Sequence, residues 1–109
     1  MNISTTVISE PGDVTRCVGE GTVLLNCTLS GEISIDDVQW YRTTNTTKIV
    51  HLGSDRHDDS ISINTFTNNN LTYATLFCRN VTKSIAGYYW VRLSPSNNVC
   101  NTSVTVQSM

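Results

Sequence analysis

The stretch from Leu71 to Val91, LTYATLFCRNVTKSIAGYYWV, constrains the fold of this chain more than any other part. Leu76 and Cys78 lie two residues apart, so they point to the same face of an extended strand. Near its end the stretch has three consecutive aromatic residues, Tyr88-Tyr89-Trp90. Neither this segment nor the rest of the chain shows helical periodicity. The stretch therefore predicts two β-strands joined by a short turn in an all-β domain.

The same residues resemble strand E, the EF turn and strand F of an immunoglobulin-like sandwich. The usual pattern there is Leu-x-Ile, then Val, then Asp-x-Ala/Gly-x-Tyr-x-Cys. Tyr88 falls at the tyrosine-corner position near the start of strand F. Ser84 stands where Asp is usual, and Trp90 stands where the second core cysteine is usual. The resemblance implies that Tyr88 and Trp90 are core residues and that the cysteines pair in an unusual way.

Alternation elsewhere predicts the remaining strands. In the segment 22–29 the residues on one face are Val23, Leu25, Cys27 and Leu29. Trp40 resembles the core tryptophan of strand C, and a β-prone segment at 48–52 predicts strand C′. The 109 residues fit one sandwich domain over 1–109. We therefore expect a single immunoglobulin-like β-sandwich with a variable-like strand set and an FG turn over 94–99.

Composition narrows the class of protein. The chain is 39% hydrophobic and 15% charged, which suits one packed core. Its net charge of -2 gives no reason to expect a nucleic-acid or anionic-membrane partner. No apolar run approaches the ~20 residues that span a membrane, and no signal peptide precedes Asn2. We expect Met1 to be an added start residue and the chain to be the ectodomain of a membrane-anchored protein.

Asn-x-Ser/Thr sequons occur six times, about twice as often as expected by chance for eleven asparagines in a chain that is about one quarter Ser and Thr. Such sequons mark surface positions in secreted proteins. The alternative is a Ser/Thr/Asn-rich surface with accidental matches. We expect a heavily glycosylated extracellular domain. The sequon asparagines are Asn2, Asn26, Asn45, Asn70, Asn80 and Asn101.

Four cysteines without Cys-x-x-Cys spacing predict two disulfides in an oxidising compartment and no zinc site. Cys27 and Cys78 both face inward on strands B and E, which are neighbours in this fold. A Cys27–Cys78 bridge is therefore expected, and Cys17–Cys100 would then join strands A′ and G. Four cysteines allow three connectivities, so the other two pairings stay open.

A tryptophan in strand C, cysteines in strands B and E, and no cysteine in strand F resemble the immunoglobulin-like domain of cytomegalovirus membrane glycoproteins and adenovirus early-region glycoproteins. That resemblance implies a viral immune-evasion glycoprotein, at the host cell surface or secreted, that binds a host protein. Targets among such relatives include leukocyte receptor phosphatases and immunoglobulin Fc. The residues that carry the resemblance are Cys27, Trp40, Leu76, Cys78, Asn80 and Tyr88.

Catalysis is not expected, because no nucleophile-base pair or phosphate-binding loop is present. The best polar cluster lies in a turn whose spacing matches no known metal site, so we expect neither metal nor cofactor nor small-molecule substrate. Two other classes remain, a cell-adhesion module that pairs through strands C, F and G, and a glycan-covered spacer. The cluster comprises His51, Asp55, Arg56, His57, Asp58 and Asp59.

Glycans at Asn26 and Asn80 would shield the sheet that holds strands B and E, which leaves the C–F–G sheet for a partner. One at Asn101 would narrow that face. Alternation predicts outward aromatic and apolar side chains there, although strands C′ and G could cover them. The residues predicted to contact a partner, on this sheet and at the FG turn, are Gln39, Tyr41, Tyr89, Val91, Ser96 and Asn97.

Overall fold

The computed structural model describes residues 5–31, 33–43, 49–52, 60–94 and 97–108. Two short 3-10 turns, Ile35–Asp37 and Lys83–Ile85, lie between strands. Within the described residues no helix has the length and apolar character needed to cross a membrane. The strands are β1 (Thr6–Ser9), β2 (Val14–Cys17), β3 (Val23–Ser30), β4 (Gln39–Thr43), β5 (Ile49–His51), β6 (Ile61–Asn68), β7 (Leu71–Cys78), β8 (Gly87–Ser94) and β9 (Asn97–Gln107).

These strands form two sheets that pack as a sandwich. The four-stranded sheet has the order β1-β3-β7-β6, and the five-stranded sheet has the order β2-β9-β8-β4-β5. β2 runs parallel to β9, and the other pairs are antiparallel. The β6–β7 hairpin turns through Asn69 and Asn70, both with positive φ, as a two-residue hairpin turn requires. The predicted all-β sandwich is confirmed.

The core forms where the inward faces of both sheets meet. Cys27 and Leu25 of β3 lie opposite Ala74 and Leu76 of β7, and all four are at most 1% exposed. Trp40 of β4 packs from the other sheet at 1% exposure. Each fully buried large apolar side chain contributes about 1.5–3 kcal/mol. The inward faces predicted for β3, β4 and β7 are therefore confirmed.

The side chains of β8 point to the opposite faces from those predicted. Tyr89 and Val91 face the core at 2% and 0% exposure, whereas Tyr88 is 65% exposed. The Tyr89 hydroxyl donates a hydrogen bond to the Ile85 carbonyl, so the tyrosine corner is at Tyr89 and not at Tyr88. Ile85 itself is buried in the preceding turn, so odd-numbered residues continue inward along the strand.

Gly87 allows the start of β8 to approach β4 closely. Its φ is 149°, and an added Cβ would lie 2.7 Å from the carbonyl oxygen of Thr43 on β4. Only glycine permits this close approach of the two backbones without strain. The contact fixes β8 against β4, with Tyr88 opposite Thr43.

The disulfide joins Cys27 of β3 to Cys100 of β9 across the core, with the two Cα atoms 6.0 Å apart. The predicted Cys27–Cys78 bridge is wrong because Cys78 lies opposite Val23, four residues along the strand from the residue that faces Cys27. That offset is roughly 13 Å, and a disulfide requires Cα atoms within about 7 Å. Cys78 is a buried free thiol.

The predicted Cys17–Cys100 bridge is wrong for the same kind of reason. Cys17 of β2 lies beside Gln107 of β9, seven residues from Cys100. That spacing corresponds to roughly 23 Å along the strand. Cys17 is a half-buried free thiol.

A bulge in β9 helps to bring Cys100 to the core. Cys100 and Asn101 together face one residue of β8, Trp90, and Cys100 has a φ of 57°. A bulge of this kind breaks the strict alternation of a strand. Val99 and Cys100 therefore both face inward although they are consecutive residues.

Candidate protein-binding face

Three stacked rings cross the outer surface of the five-stranded sheet. Tyr41 of β4 lies opposite His51 of β5 on one side and Trp90 of β8 on the other. The Tyr41 and His51 ring centroids are 4.8 Å apart at 14°, and those of Tyr41 and Trp90 are 6.1 Å apart at 12°. Aromatic pairs of this kind contribute about 0.5–1.5 kcal/mol beyond the area that they bury. We call His51, Tyr41 and Trp90 the aromatic stack.

Arg92 adds a positive charge to the stack. Its guanidinium carbon lies 4.2 Å from the centroid of the Tyr41 ring, which is a cation–π arrangement. Its Nε donates to the Oδ1 of Asn98 on β9 at 3.3 Å. The guanidinium is thus held by two strands and keeps further donors for a partner.

Gln39 fixes the other end of the stack. Its Nε2 donates to the backbone carbonyl of Asp36 at 2.9 Å, so its Oε1 is directed to the Nε2 of His51, 2.8 Å away. An amide oxygen only accepts, so the Nε2 of His51 carries the hydrogen. The imidazole ring is therefore held parallel to Tyr41.

Tyr88 is the most exposed of the large hydrophobic residues that the structure describes as exposed, at 65%. It lies on the same outer face as Trp90 and Arg92, because residues two apart on β8 share a face. Trp90 is only 9% exposed, so it supports the stack more than it offers contact area. Tyr88 is exposed and Tyr41 and Arg92 are half-buried, so these three side chains can contact a partner.

The structure places the residues of β4 and β8 predicted to contact a partner on two different faces of the sheet. Gln39 and Tyr41 lie on the outer face, at half-buried positions. The prediction that Tyr89 and Val91 face solvent is wrong, because both side chains lie in the core. Tyr41 and Tyr89 therefore lie on opposite faces of the sheet and cannot share one contact surface.

The structure also changes the predicted contribution of the FG turn to partner binding. Asn97 is exposed at the start of β9, and Ser96 lies outside the described residues. The predicted six-residue FG turn is too long, since β8 extends to Ser94 and only residues 95 and 96 separate it from β9.

Sequence reasoning missed Tyr88, Trp90, Arg92 and His51 as outer-face residues. One signal was available for the first three. Ile85 is the only large aliphatic residue in the turn, and phasing β8 from it places all three outward. His51 is placed only by the pairing of β5 with β4.

Four sequon asparagines are described, and all four are exposed: Asn26, Asn70, Asn80 and Asn101. Asn2 and Asn45 lie outside the described residues, and glycosylation at every sequon stays a prediction. Of the polar cluster considered for metal binding, residues 55–59 lie outside the described residues. Among those described, no three His, Cys, Asp or Glu side chains come together in a way that could hold a metal ion.

No protein-family model matches this sequence, and no curated protein matches it. Solved structures do resemble it. A chimeric titin Z1Z2 has a TM-score of 0.67 at 20% identity over the whole of both chains. The fold is immunoglobulin-like. The titin M10–obscurin-like 1 complex has a TM-score of 0.65 at 15% identity, covering 99% of this chain and 98% of that one. The BTLA ectodomain has 0.62 at 17% over the whole of both chains. At these identities the likeness is one of fold alone.

Proposed function

We propose that this domain is the ectodomain of a viral immunomodulatory glycoprotein that binds a host immune-cell receptor or an immunoglobulin. The sequence resemblance to viral glycoproteins supports the viral origin and the class of target. The observation that carries the binding function is the aromatic stack with Arg92 and Tyr88 beside it. Tyr, Trp and Arg are the residues that most often dominate binding energy at protein interfaces.

The geometry of the stack favours binding because its side chains are ordered in advance. Stacking, the Arg92–Asn98 hydrogen bond and the Gln39–His51 hydrogen bond all form within one chain. A partner that docks here would order few further side chains, each of which typically costs about 0.5–1.5 kcal/mol. The titin M10–obscurin-like 1 complex supports a protein partner, because that neighbour of the same fold assembles with another protein.

We propose an extracellular location for the domain, at the host cell surface or in secreted form. The Cys27–Cys100 disulfide suits an oxidising compartment. The sequons agree with that location.

The test begins with a pull-down from leukocyte membranes and serum, followed by binding measurements on the purified partner. Tyr41→Ala and Tyr88→Ala should each weaken binding by about 2 kcal/mol or more, roughly thirtyfold in Kd. Phe66→Ala is the matched control, because Phe66 is a 44% exposed aromatic residue on the other sheet. Circular dichroism of each variant confirms folding.

Two results would contradict the proposal. In one, both tyrosine variants bind within twofold of wild type while a change at Asn97 abolishes binding, which moves the site to the loop end. In the other, Phe66→Ala loses binding and the tyrosine variants keep it. A concentration-dependent dimer that Tyr88→Ala dissociates would instead favour the adhesion module.

A further inference from the structure

The outer face of the four-stranded sheet carries apolar side chains around a polar centre. Leu24 of β3 is 51% exposed and lies opposite Phe77 of β7, which is 37% exposed. Two residues further along, Asn26 lies opposite Thr75. An exposed apolar pair therefore lies directly beside a polar pair on this face.

Asn26 is oriented by its cross-strand neighbour. The Thr75 hydroxyl donates to the Oδ1 of Asn26 at 3.0 Å. This bond holds Oδ1 on the β7 side of β3, whereas β1 and the segment that follows it lie on the other side of β3.

A groove lies on that side of Asn26. It has a volume of about 430 Å³ and opens where β1 has ended and β2 has not begun. Its lining combines apolar and polar groups, including Leu24, Pro11, Glu10 and Arg16 together with Asn26 itself. Such a mixed lining suits a sugar ring, which has apolar C–H faces and a rim of hydroxyl groups.

We propose that an N-linked glycan on Asn26 occupies this face, with its first N-acetylglucosamine in the groove and packed against Leu24. The sequon Asn26-Cys27-Thr28 supplies the attachment site. The inference rests on the extracellular glycoprotein proposed above. It goes beyond it because the glycan is a structural part of the domain and more than a shield.

The attachment is a group transfer from a lipid-diphosphate-linked oligosaccharide in the secretory pathway. The Nδ2 of Asn26 forms a bond to C1 of the first N-acetylglucosamine. The bond from C1 to the phosphate oxygen breaks, and the lipid diphosphate leaves with that electron pair. The amide nitrogen gives up one proton to a base of the transferase. The transfer precedes folding, because Cys27 is afterwards fixed in a paired strand and in the disulfide.

A second copy of the chain fits this face less well than a sugar does. The central row of the face is polar, with Asn64 on β6 in line with Thr75 and Asn26. A flat protein interface would bury that row without partners for all of its groups, which is costly. Sugar hydroxyl and acetamido groups can satisfy the row while the ring covers Leu24.

The test compares Thr28→Ala, which destroys the sequon, with Thr28→Ser, which keeps it. Both variants leave Asn26 and its hydrogen bond with Thr75 in place. The chains are secreted from human cells, Asn26 occupancy is measured by peptide mass spectrometry, and melting temperatures are compared. Thr28→Ala should melt about 4–8 °C below Thr28→Ser. An endoglycosidase that leaves one N-acetylglucosamine should preserve the difference.

A double-mutant cycle that adds Leu24→Thr to the two Thr28 variants tests whether the glycan contacts Leu24. In that background the difference between the two Thr28 variants should fall to less than half, whereas in the Phe66→Thr background it should persist. Asn26 found unoccupied, an equal melting temperature for the two variants, or a difference that Leu24→Thr leaves unchanged would each overturn the proposal. So would a glycosylated dimer that Leu24→Thr dissociates, since a second copy would then cover the face. Partner binding is not measured here, so failure of the proposed binding function leaves this test intact.

Discussion

Two single substitutions at the start of β8, Tyr88→Phe and Tyr89→Phe, test which of these side chains points into the core. The Tyr89 hydroxyl donates to the Ile85 carbonyl and accepts from the Nη1 of Arg42 at 3.3 Å, and its residue is 2% exposed. Tyr89→Phe therefore loses two hydrogen bonds, each with a net value of about 0.5–1.5 kcal/mol, and leaves a buried carbonyl without that donor. We expect the free energy of unfolding to fall by about 1.5–3 kcal/mol.

Tyr88→Phe is the matched control, because Tyr88 is 65% exposed. It should change the free energy of unfolding by no more than about 0.5 kcal/mol. Urea unfolding followed by tryptophan fluorescence measures both values, and an unchanged m-value confirms that the same surface is exposed. If Tyr88→Phe proves the more costly change, the tyrosine corner is at Tyr88 and the phase described for β8 is wrong.

Two further predictions concern stability. Cys27→Ala should cost about 4 kcal/mol, because the disulfide closes a loop of 73 residues, while Cys78→Ala removes only a buried thiol and should cost about 1 kcal/mol. Non-reducing peptide mapping checks the pairing, and a Cys27–Cys78 peptide would refute it. Gly87→Ala should cost about 1–3 kcal/mol because of its positive φ and the close contact with β4. Gly12→Ala, with open space around it, should stay within about 1 kcal/mol in the same urea measurement, and equal losses would argue against the β4 contact.

Local pattern was enough to predict the strands whose two faces differ clearly in polarity. In β3, Leu25 and Cys27 alternate with Asn26 and Thr28, so one phase buries apolar groups and the other buries polar ones. The same holds around Trp40 in β4, where a single large residue decides the phase. The patterns of β3 and β4 were also sufficient to predict the sandwich fold.

The candidate site could be predicted only in part, because β8 begins with Tyr88, Tyr89 and Trp90. Either phase buries aromatic surface, so alternation alone does not decide between them. The cue that was available, Ile85 in the preceding turn, lies outside the strand, and the close approach of Gly87 to β4 is a tertiary contact that the sequence does not show. The outward positions of Trp90 and Arg92, and with them the aromatic stack, depended on that choice.

The disulfide partner of Cys27 was beyond sequence reasoning for a different reason. Inward direction can be predicted from alternation, but the distance along neighbouring strands depends on their register. The register placed Cys78 opposite Val23. The bulge at Cys100 then brought a second cysteine across the core, in a backbone conformation that non-glycine residues seldom adopt.

The Cys27–Cys100 cross-link also sets how far the domain can lengthen when its two ends are pulled apart. The tension passes directly through the sulfur atoms, so the enclosed loop is bypassed and stays folded or collapsed without bearing force. Only about 35 residues lie outside the loop, which at roughly 3.3–3.6 Å each gives a reach of about 120 Å. With the bond reduced, the whole chain would reach about 370 Å. A domain between a cell surface and a bound partner would therefore act as a short tether while oxidised, and as one roughly three times longer once that bond is reduced.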